Sequence, residues 1–408
     1  MKQRLACILY ISILFVALFL AYSEFGYCKN VRGVTKDTVK IGVIIDLTGP
    51  TSNVGVVVNE AYKNYIRNIN DAGGIHGRKI KMIIEDDHYA IPAGIAAFKK
   101  LLFRDQVLAL MGPISVGEIK VLFRHIKKNK IPTLPWAPDK SVMTPYKRYI
   151  FPTNGIYSNE FGIIFQLIIN NHKKNKLKMA FCYPDVESGK LLRDAAVNWS
   201  KFFGFKLHLE VLPMSAIDVT SQVLNMKRAG ITHVVIGHVA PGVAAVLKDM
   251  KKFALNIPSF GLSAGCTEDV IRIAGDASAN YISASQYSSW YEDYPGVKEM
   301  RRISKKYNPD ADKSFRIKSY SIGWVIPKIM CTGIKIAGNN LTNETLVTAL
   351  ETFKNFDTKG ICGPITYTSS IHYGLSYIKL FKTDVAKCEL IPITEWSLPP
   401  TKKISSRE

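Results

Sequence analysis

Gly261-Leu262-Ser263-Ala264-Gly265 has the glycine-x-serine-x-glycine spacing of a nucleophile elbow, in which a sharp strand-to-helix turn lifts a serine hydroxyl for attack. Hydrolysis would also need an acid and a histidine further along, and Asp293 or Asp357 with His372 have the right types and order. Against it, the strand-like stretch ahead, Pro258 to Phe260, is very short, and no oxyanion-type glycine run lies upstream. A second constellation, Ser115-x-x-Glu118, reads as a capping box, with the serine hydroxyl bonding a first-turn amide. If that helix start faces a cleft, its free N–H groups also suit a ligand carboxylate, so cap and anion site both stay open. Trp136 is a stacking wall or core filling, and His238 is a donor or a structural side chain. Asp139 is an inward charge favouring a cation or donor, or a solvated turn residue beside Pro138. Tyr287, Trp290, Tyr291 and Tyr294 rim a cleft or cover a hinge. No cysteine spacing resembles a zinc site, and neither a metal nor a cofactor is called for.

The elements that must position these residues form a repeating series. Val39 to Ile45, Lys79 to Ile84 and Val107 to Met111 are short apolar strands, separated by helical stretches up to Ala72 and over Ile91 to Arg104. The rhythm returns with strands at Met179 to Tyr183, Lys206 to Val211, His233 to Gly237 and Pro258 to Gly261. Helices over Gly189 to Phe203, Val219 to Ala229 and Val243 to Phe253 separate them. Apolar strands alternating with longer amphipathic helices mean parallel α/β units buried on both faces. Two such sets predict two doubly wound lobes, with ligands bound beyond the carboxyl ends of the strands. A strand at Tyr281 to Ser285, a long helix over Tyr320 to Ala337 and strands near Ile365, Ile378 and Ile391 suggest that the chain crosses back between lobes.

At 408 residues, 47% hydrophobic and 21% charged, the chain is neither mostly disordered nor a polytopic membrane protein. Its 54 Lys+Arg against 33 Asp+Glu leave a net charge of +21. The basic runs Arg124 to Lys130, His172 to Lys178 and Lys298 to Lys306 lack the interleaved aromatics of a nucleic-acid groove. Attraction to an anionic ligand or membrane surface stays open. Lys2 and Arg4, the apolar stretch Ala6 to Ala21 and the small-x-small exit Ala21-Tyr22-Ser23 read as an export signal over residues 1–23. Tyr27 ahead of Cys28 fits a lipoprotein site poorly, so lipidation is the lesser reading. Six cysteines remain beyond the signal, and fifteen pairings are open to them.

Val39-Lys-Ile-Gly-Val-Ile-Ile-Asp-Leu-Thr-Gly-Pro50, Ile69-Asn-Asp-Ala-Gly-Gly-Ile-His-Gly-Arg-Lys-Ile80 and Glu85-Asp-Asp87 resemble the opening of the branched-chain amino-acid-binding family. These are type I periplasmic solute-binding proteins of ABC importers. Gly112-Pro113, Ile131-Pro132 and Cys362-Gly-Pro-Ile-Thr-Tyr367 follow in the family's order, and the likeness runs over roughly residues 37 to 396. The resemblance implies an α/β type I periplasmic binding protein fold: two doubly wound parallel-sheet lobes joined by three hinge crossovers. It sets lobe I at 37–153 plus 286–376 and lobe II at 154–285 plus 377–396, with a flexible tail over 397–408. Crossovers fall near Thr153-Asn154, Ser283 to Gln286 and Tyr377-Ile378. The implied activity is capture of a small solute by hinge closure and delivery to a membrane permease, by a monomer in the periplasm.

The resemblance also places the pocket. Family serines that hold a ligand carboxylate fall at Ser115 and Val116, and the following Ala-x-Thr falls at Ala137 and Asp139, after Trp136. Pocket tyrosines fall at Val54, Ser188 and Val239 beside His238, and the ammonium-binding glutamate falls at Ser263. An unpaired buried ammonium costs several kcal/mol. With no acid at 263, only Asp139 is left to pair it, which argues against a plain leucine-like site. An exported serine hydrolase and a ligand-sensing receptor ectodomain are the competing functions.

Overall fold

The computed structural model describes residues 31–137, 139–172, 176–215, 217–311 and 316–401. The export signal and Cys28 lie outside the described residues. The run Val39 to Ile45 lacks the alternation of a half-wet strand, and its burial shows why. It forms the interior strand β1 (Thr38–Ile45), flanked by β2 (Lys79–Asp86) and β3 (Ala109–Met111), with β4 (Thr133–Leu134) at the far edge. All pairings are parallel, and Val43 meets both Ile84 and Met111. The returns are helical: α1 (Ser52–Asp71), α2 (Ile91–Lys99), which relaxes into a π-turn at Lys100–Arg104, and α3 (Val116–Asn129). Between α1 and β2 the chain reverses at Gly74, where φ is +84° and a Cβ would stand 2.1 Å from the Arg78 carbonyl oxygen. Only glycine fits there, which accounts physically for part of the Gly-Gly-Ile-x-Gly segment.

A short helix α4 (Lys140–Met143) precedes the passage into the second sheet. That sheet runs β11-β10-β9-β8-β7-β5-β6. Here β5 is Met179–Pro184, β6 Leu207–Leu212, β7 His233–Ile236, β8 Ser259–Gly261 and β9 Tyr281–Ser285. Its parallel part is covered by α5 (Tyr157–Asn171), α6 (Glu187–Phe203), α7 (Thr220–Ala229), α8 (Ala240–Lys252) and α9 (Glu268–Ala274). The sheet is not wholly parallel: β10 (Lys379–Asp384) pairs antiparallel with β9, and β11 (Glu389–Pro392) folds back on β10 as a hairpin. The expected strand near Ile365 is replaced by lone bridges to Phe356 and Leu375.

Between β9 and β10 the chain returns to the first sheet through α10 (Pro295–Tyr307), α11 (Ser319–Ala337) and α12 (Asn343–Leu350). One core therefore joins residues from Val39 to Phe151 with residues from Tyr287 to Leu375, and separate cores lie on the two faces of the second sheet. The first two crossovers touch, and Leu375, just ahead of the third, closes on Gly155, where a Cβ would stand 2.3 Å from the Leu375 carbonyl oxygen. Gly155 N–H donates to Gln286 Oε1 at 3.1 Å, the Tyr287 hydroxyl donates to the Thr153 carbonyl, and the Tyr367 hydroxyl donates to Pro152 O at 2.8 Å. Ser397 exchanges both backbone hydrogen bonds with Ile378, so the chain stays paired at the first residue of the expected tail. Among the described residues the five cysteines are free thiols, all buried except the half-buried Cys388, and no helix is long and apolar enough to cross a membrane.

Candidate functional site

The carboxyl ends of β1, β2 and β3 open into loops that carry Asp46 to Thr51, Asp87 to Ala90 and Gly112 to Ser115. Ser115 caps α3 from an extended backbone, and its Oγ accepts from Glu118 N–H at 3.3 Å. Only that half of the expected capping box forms, because the Glu118 carboxylate turns away toward Asp87 instead of reaching back. Burial first, then Asp87 and Asp46, pushes the Glu118 pKa up to about 9. The Tyr89 hydroxyl faces the Ser115 side chain and the same acids, and burial followed by their charge raises its pKa. Val54, Val116 and Trp136 are half-buried against the first core, while Ala137 is fully buried.

From the second sheet, the start of α5 and the loop after β8 meet. Glu160 is fully buried; its Oε2 accepts from Ser263 N–H at 2.8 Å and its Oε1 from Gln286 Nε2 at 2.9 Å. The Lys318 ammonium donates to the Ser263 carbonyl at 3.1 Å, so the peptide groups of Ser263 are gripped on both sides. Tyr157 lies against Ser263, Glu160 and Tyr89, and burial raises its pKa above all else. Lys318, just ahead of α11 in the first unit, thus ties the loop after β8 to that unit, and its backbone N–H also donates to Glu268 Oε2 at 2.9 Å. Ser188 is exposed in the first turn of α6, and Val239 is 37% exposed ahead of α8.

Burial pushes the Glu160 pKa up to about 7, against the pull of the Ser263 hydrogen bonds and Lys318. The folded chain therefore binds more protons than the unfolded one from the ordinary glutamate range, about 4.3, up to about 7. Stability falls as pH rises through that window, and the full penalty stands above it. Glu160→Gln should accordingly gain about 3 kcal/mol on wild type between pH 4 and pH 8. Urea midpoints at the two pH values test this, and a pH-independent difference would refute it.

Several sequence candidates land elsewhere. The Asp139 carboxylate caps α4, accepting from Ser141 N–H at 2.9 Å and from the Ser141 hydroxyl, with Lys120 Nζ at 3.7 Å. It is taken up by its own turn and does not stand free to pair an ammonium. His238 is 2% exposed and packed onto Gly242, and burial lowers its pKa. Tyr287 and Trp290 are buried; with Tyr294, which faces Lys379, they cover the hinge.

The serine motif has a packing explanation. A Cβ at Gly261 would stand 1.6 Å from the Tyr281 hydroxyl oxygen and one at Gly265 2.8 Å from it, and that hydroxyl donates to Gly265 O at 3.1 Å. Both glycines make room for Tyr281. Ser263 opens a 3₁₀ turn, not an α-helix. The other would-be members face different partners: His372 Nδ1 lies 2.8 Å from Ile150 O, Asp293 lies by Arg301, and Asp357 accepts from Lys359 N–H. Tyr89, Tyr157, Glu160 and Lys318 were not anticipated, since their roles arise only where distant loops meet.

Two α/β sheets that turn their loops toward each other across three adjacent crossovers define a two-lobed clamp of the type I periplasmic binding class. The chain belongs to the periplasmic binding protein family, whose model matches residues 38–384. It is 23% identical over 328 residues to the leucine-, isoleucine-, valine-, threonine- and alanine-binding protein of Pseudomonas aeruginosa, spanning 79% of this chain and 84% of that one. It is 24% identical over 356 residues to Leu/Ile/Val-binding protein homolog 3 of Brucella melitensis, spanning 86% and 92%. A branched-chain amino acid ABC transporter structure from Thermus thermophilus with bound valine superposes with a TM-score of 0.81 at 23% identity, covering 90% of this chain and 97% of that one. A fatty acid ABC transporter substrate-binding protein from Thermomonospora curvata superposes at 0.78 with 18% identity, covering 91% and 95%.

Proposed function

We propose that this chain is the non-catalytic solute receptor of an ABC importer. It captures a small polar organic solute of amino acid, amide or carboxylate type between two lobes, closes at the hinge and delivers the solute to a membrane permease. The observation that carries this reading is the convergence of loops from both units beside the crossovers: Lys318, just ahead of α11, donates to the Ser263 carbonyl at 3.1 Å, and Glu160 links Ser263 to Gln286 of the second crossover. The lobes are 37–153 plus 286–376 and 154–285 plus 377–396, and the receptor acts as a monomer in the periplasm after loss of residues 1–23. Ser115 and Val116 present the first amides of α3 to a carboxylate. Val54, Trp136 and Ala137 form the apolar wall on that side, and Ser188, Val239 and Ser263 form the opposite rim.

The relatives' names favour branched-chain amino acids, while a structure of the same fold carries the name of a fatty acid ABC transporter substrate-binding protein, which leaves room for another carboxylate. Valine or serine at the family's tyrosine and glutamate positions favours a ligand other than plain leucine. A thermal-shift screen over amino acids, amides and aromatic or aliphatic carboxylates tests this. A true ligand at 100 times its Kd adds about 2.7 kcal/mol to the folded state and raises Tm accordingly. A rise with branched-chain amino acids alone would overturn the ligand argument, and ester turnover abolished by Ser263→Ala would overturn the receptor reading.

A further inference from the structure

A separate concentration of charge lies at the carboxyl ends of β1 and β2. Asp46, Asp86 and Asp87 each place a carboxylate oxygen within 4.8 Å of the others. Loop turns explain most of those oxygens. Asp46 accepts from Gly49 N–H at 2.5 Å and from Thr51 N–H and Oγ1–H, both at 2.7 Å; Asp86 accepts from Leu47 N–H and the Thr48 hydroxyl. They do not explain Glu118. It arrives from a different element, α3, is fully buried, and neither carboxylate oxygen has a hydrogen-bond donor. Its carboxyl group sits between Gly94 of α2 and Asp87, whose Oδ2 also lacks a donor, and Asp46 is the next charge it meets. Among the described residues no lysine or arginine pairs with Asp46, Asp87 or Glu118, although the chain has 54 basic side chains.

We propose that Asp46, Asp86 and Asp87, with Glu118 set against Asp87, hold a hard divalent cation of the calcium type. An all-oxygen donor set selects calcium or magnesium over zinc or copper. Calcium accepts irregular arrangements of 6–8 oxygens at about 2.3–2.6 Å, so oxygens on opposite sides of the ion stand about 4.6–5.2 Å apart. The oxygens of Asp46, Asp86 and Asp87, contained within 4.8 Å, match that span. The cation supplies the partner that the inward carboxylate of Glu118 lacks, and it fastens the β1 and β2 loops to the first turn of α3. The site borders the solute pocket at the first turn of α3, but its assignment rests on the acids alone and does not depend on the solute reading.

The test uses the full chain, stripped with a chelator and titrated with calcium chloride against sodium chloride of equal ionic strength. A saturable rise in Tm is expected for wild type, with at least a tenfold weaker response for Glu118→Gln. Terbium luminescence sensitised by the adjacent Tyr89, and displaced by calcium, gives a readout that does not rely on the variant's stability. Asp87→Asn provides a second variant if Glu118→Gln fails to fold. No shift beyond the ionic-strength control, no calcium-displaceable luminescence, or an equal response from both variants would overturn the proposal. The Glu118 and Asp87 pair would then be held by a shared proton alone.

Discussion

Lys379→Met is expected to cost about 3–5 kcal/mol of stability, read as a lower urea midpoint with an unchanged slope. Lys379 is fully buried, and its ammonium lies 2.8 Å from Glu292 Oε2 and 3.1 Å from the Tyr294 hydroxyl oxygen. The Tyr294 and Trp396 rings face it, with centroids at 4.2 and 4.4 Å. Removing the lysine alone strands the 6%-exposed Glu292 as a charge without a partner, and that penalty, rather than lost packing, dominates. Glu292→Gln in the same chain removes the stranded charge while its side-chain oxygen still accepts from Ser289 N–H. The double variant should therefore recover more than half of the loss. A single variant within about 1 kcal/mol of wild type, or a double variant as weak as the single, would refute the argument. Lys379 follows the third crossover and Glu292 the second, so this pair also fastens two crossing segments together.

Much of the fold was legible because buried parallel strands write themselves as unbroken apolar runs. Val39 to Ile45 and Met179 to Tyr183 needed no partner to be recognised. The antiparallel hairpin of β10 and β11 was not, since its direction is set by where the third crossover enters the sheet. Ile365 carries a strand-like neighbourhood yet makes only lone bridges, to Phe356 and Leu375. At the site, Ser115 was readable as a cap since a cap is local. Glu118, Tyr89 and Glu160 were not readable in their roles. Their partners, Asp87, Ser115 and Ser263, come from other strand ends, and no local spacing records such meetings.

Gly261→Ala is expected to destabilise the protein by about 3 kcal/mol, at the upper end for overpacking by one methyl group. The added carbon would stand 1.6 Å from the Tyr281 hydroxyl oxygen and 2.5 Å from the ring carbon bearing it, and Tyr281 is fully buried. In a Tyr281→Leu background the same alanine should cost under about 1 kcal/mol, a coupling that a double-mutant cycle measures directly. Equal costs in both backgrounds would mean that the glycine serves something other than this tyrosine. The outcome bears on the serine motif, because a glycine kept for a neighbouring ring carries no information about a nucleophile.

The interleaving of the two units fixes an order of completion. Helix α1 lies against α11, and the first core is not closed until Leu375 joins it. The ribosome therefore releases every residue of the second unit's parallel strands before the first unit has its last packing partners. β10 and β11 then arrive at the very end to seal the sheet edge. Such long-range closure makes assembly slow.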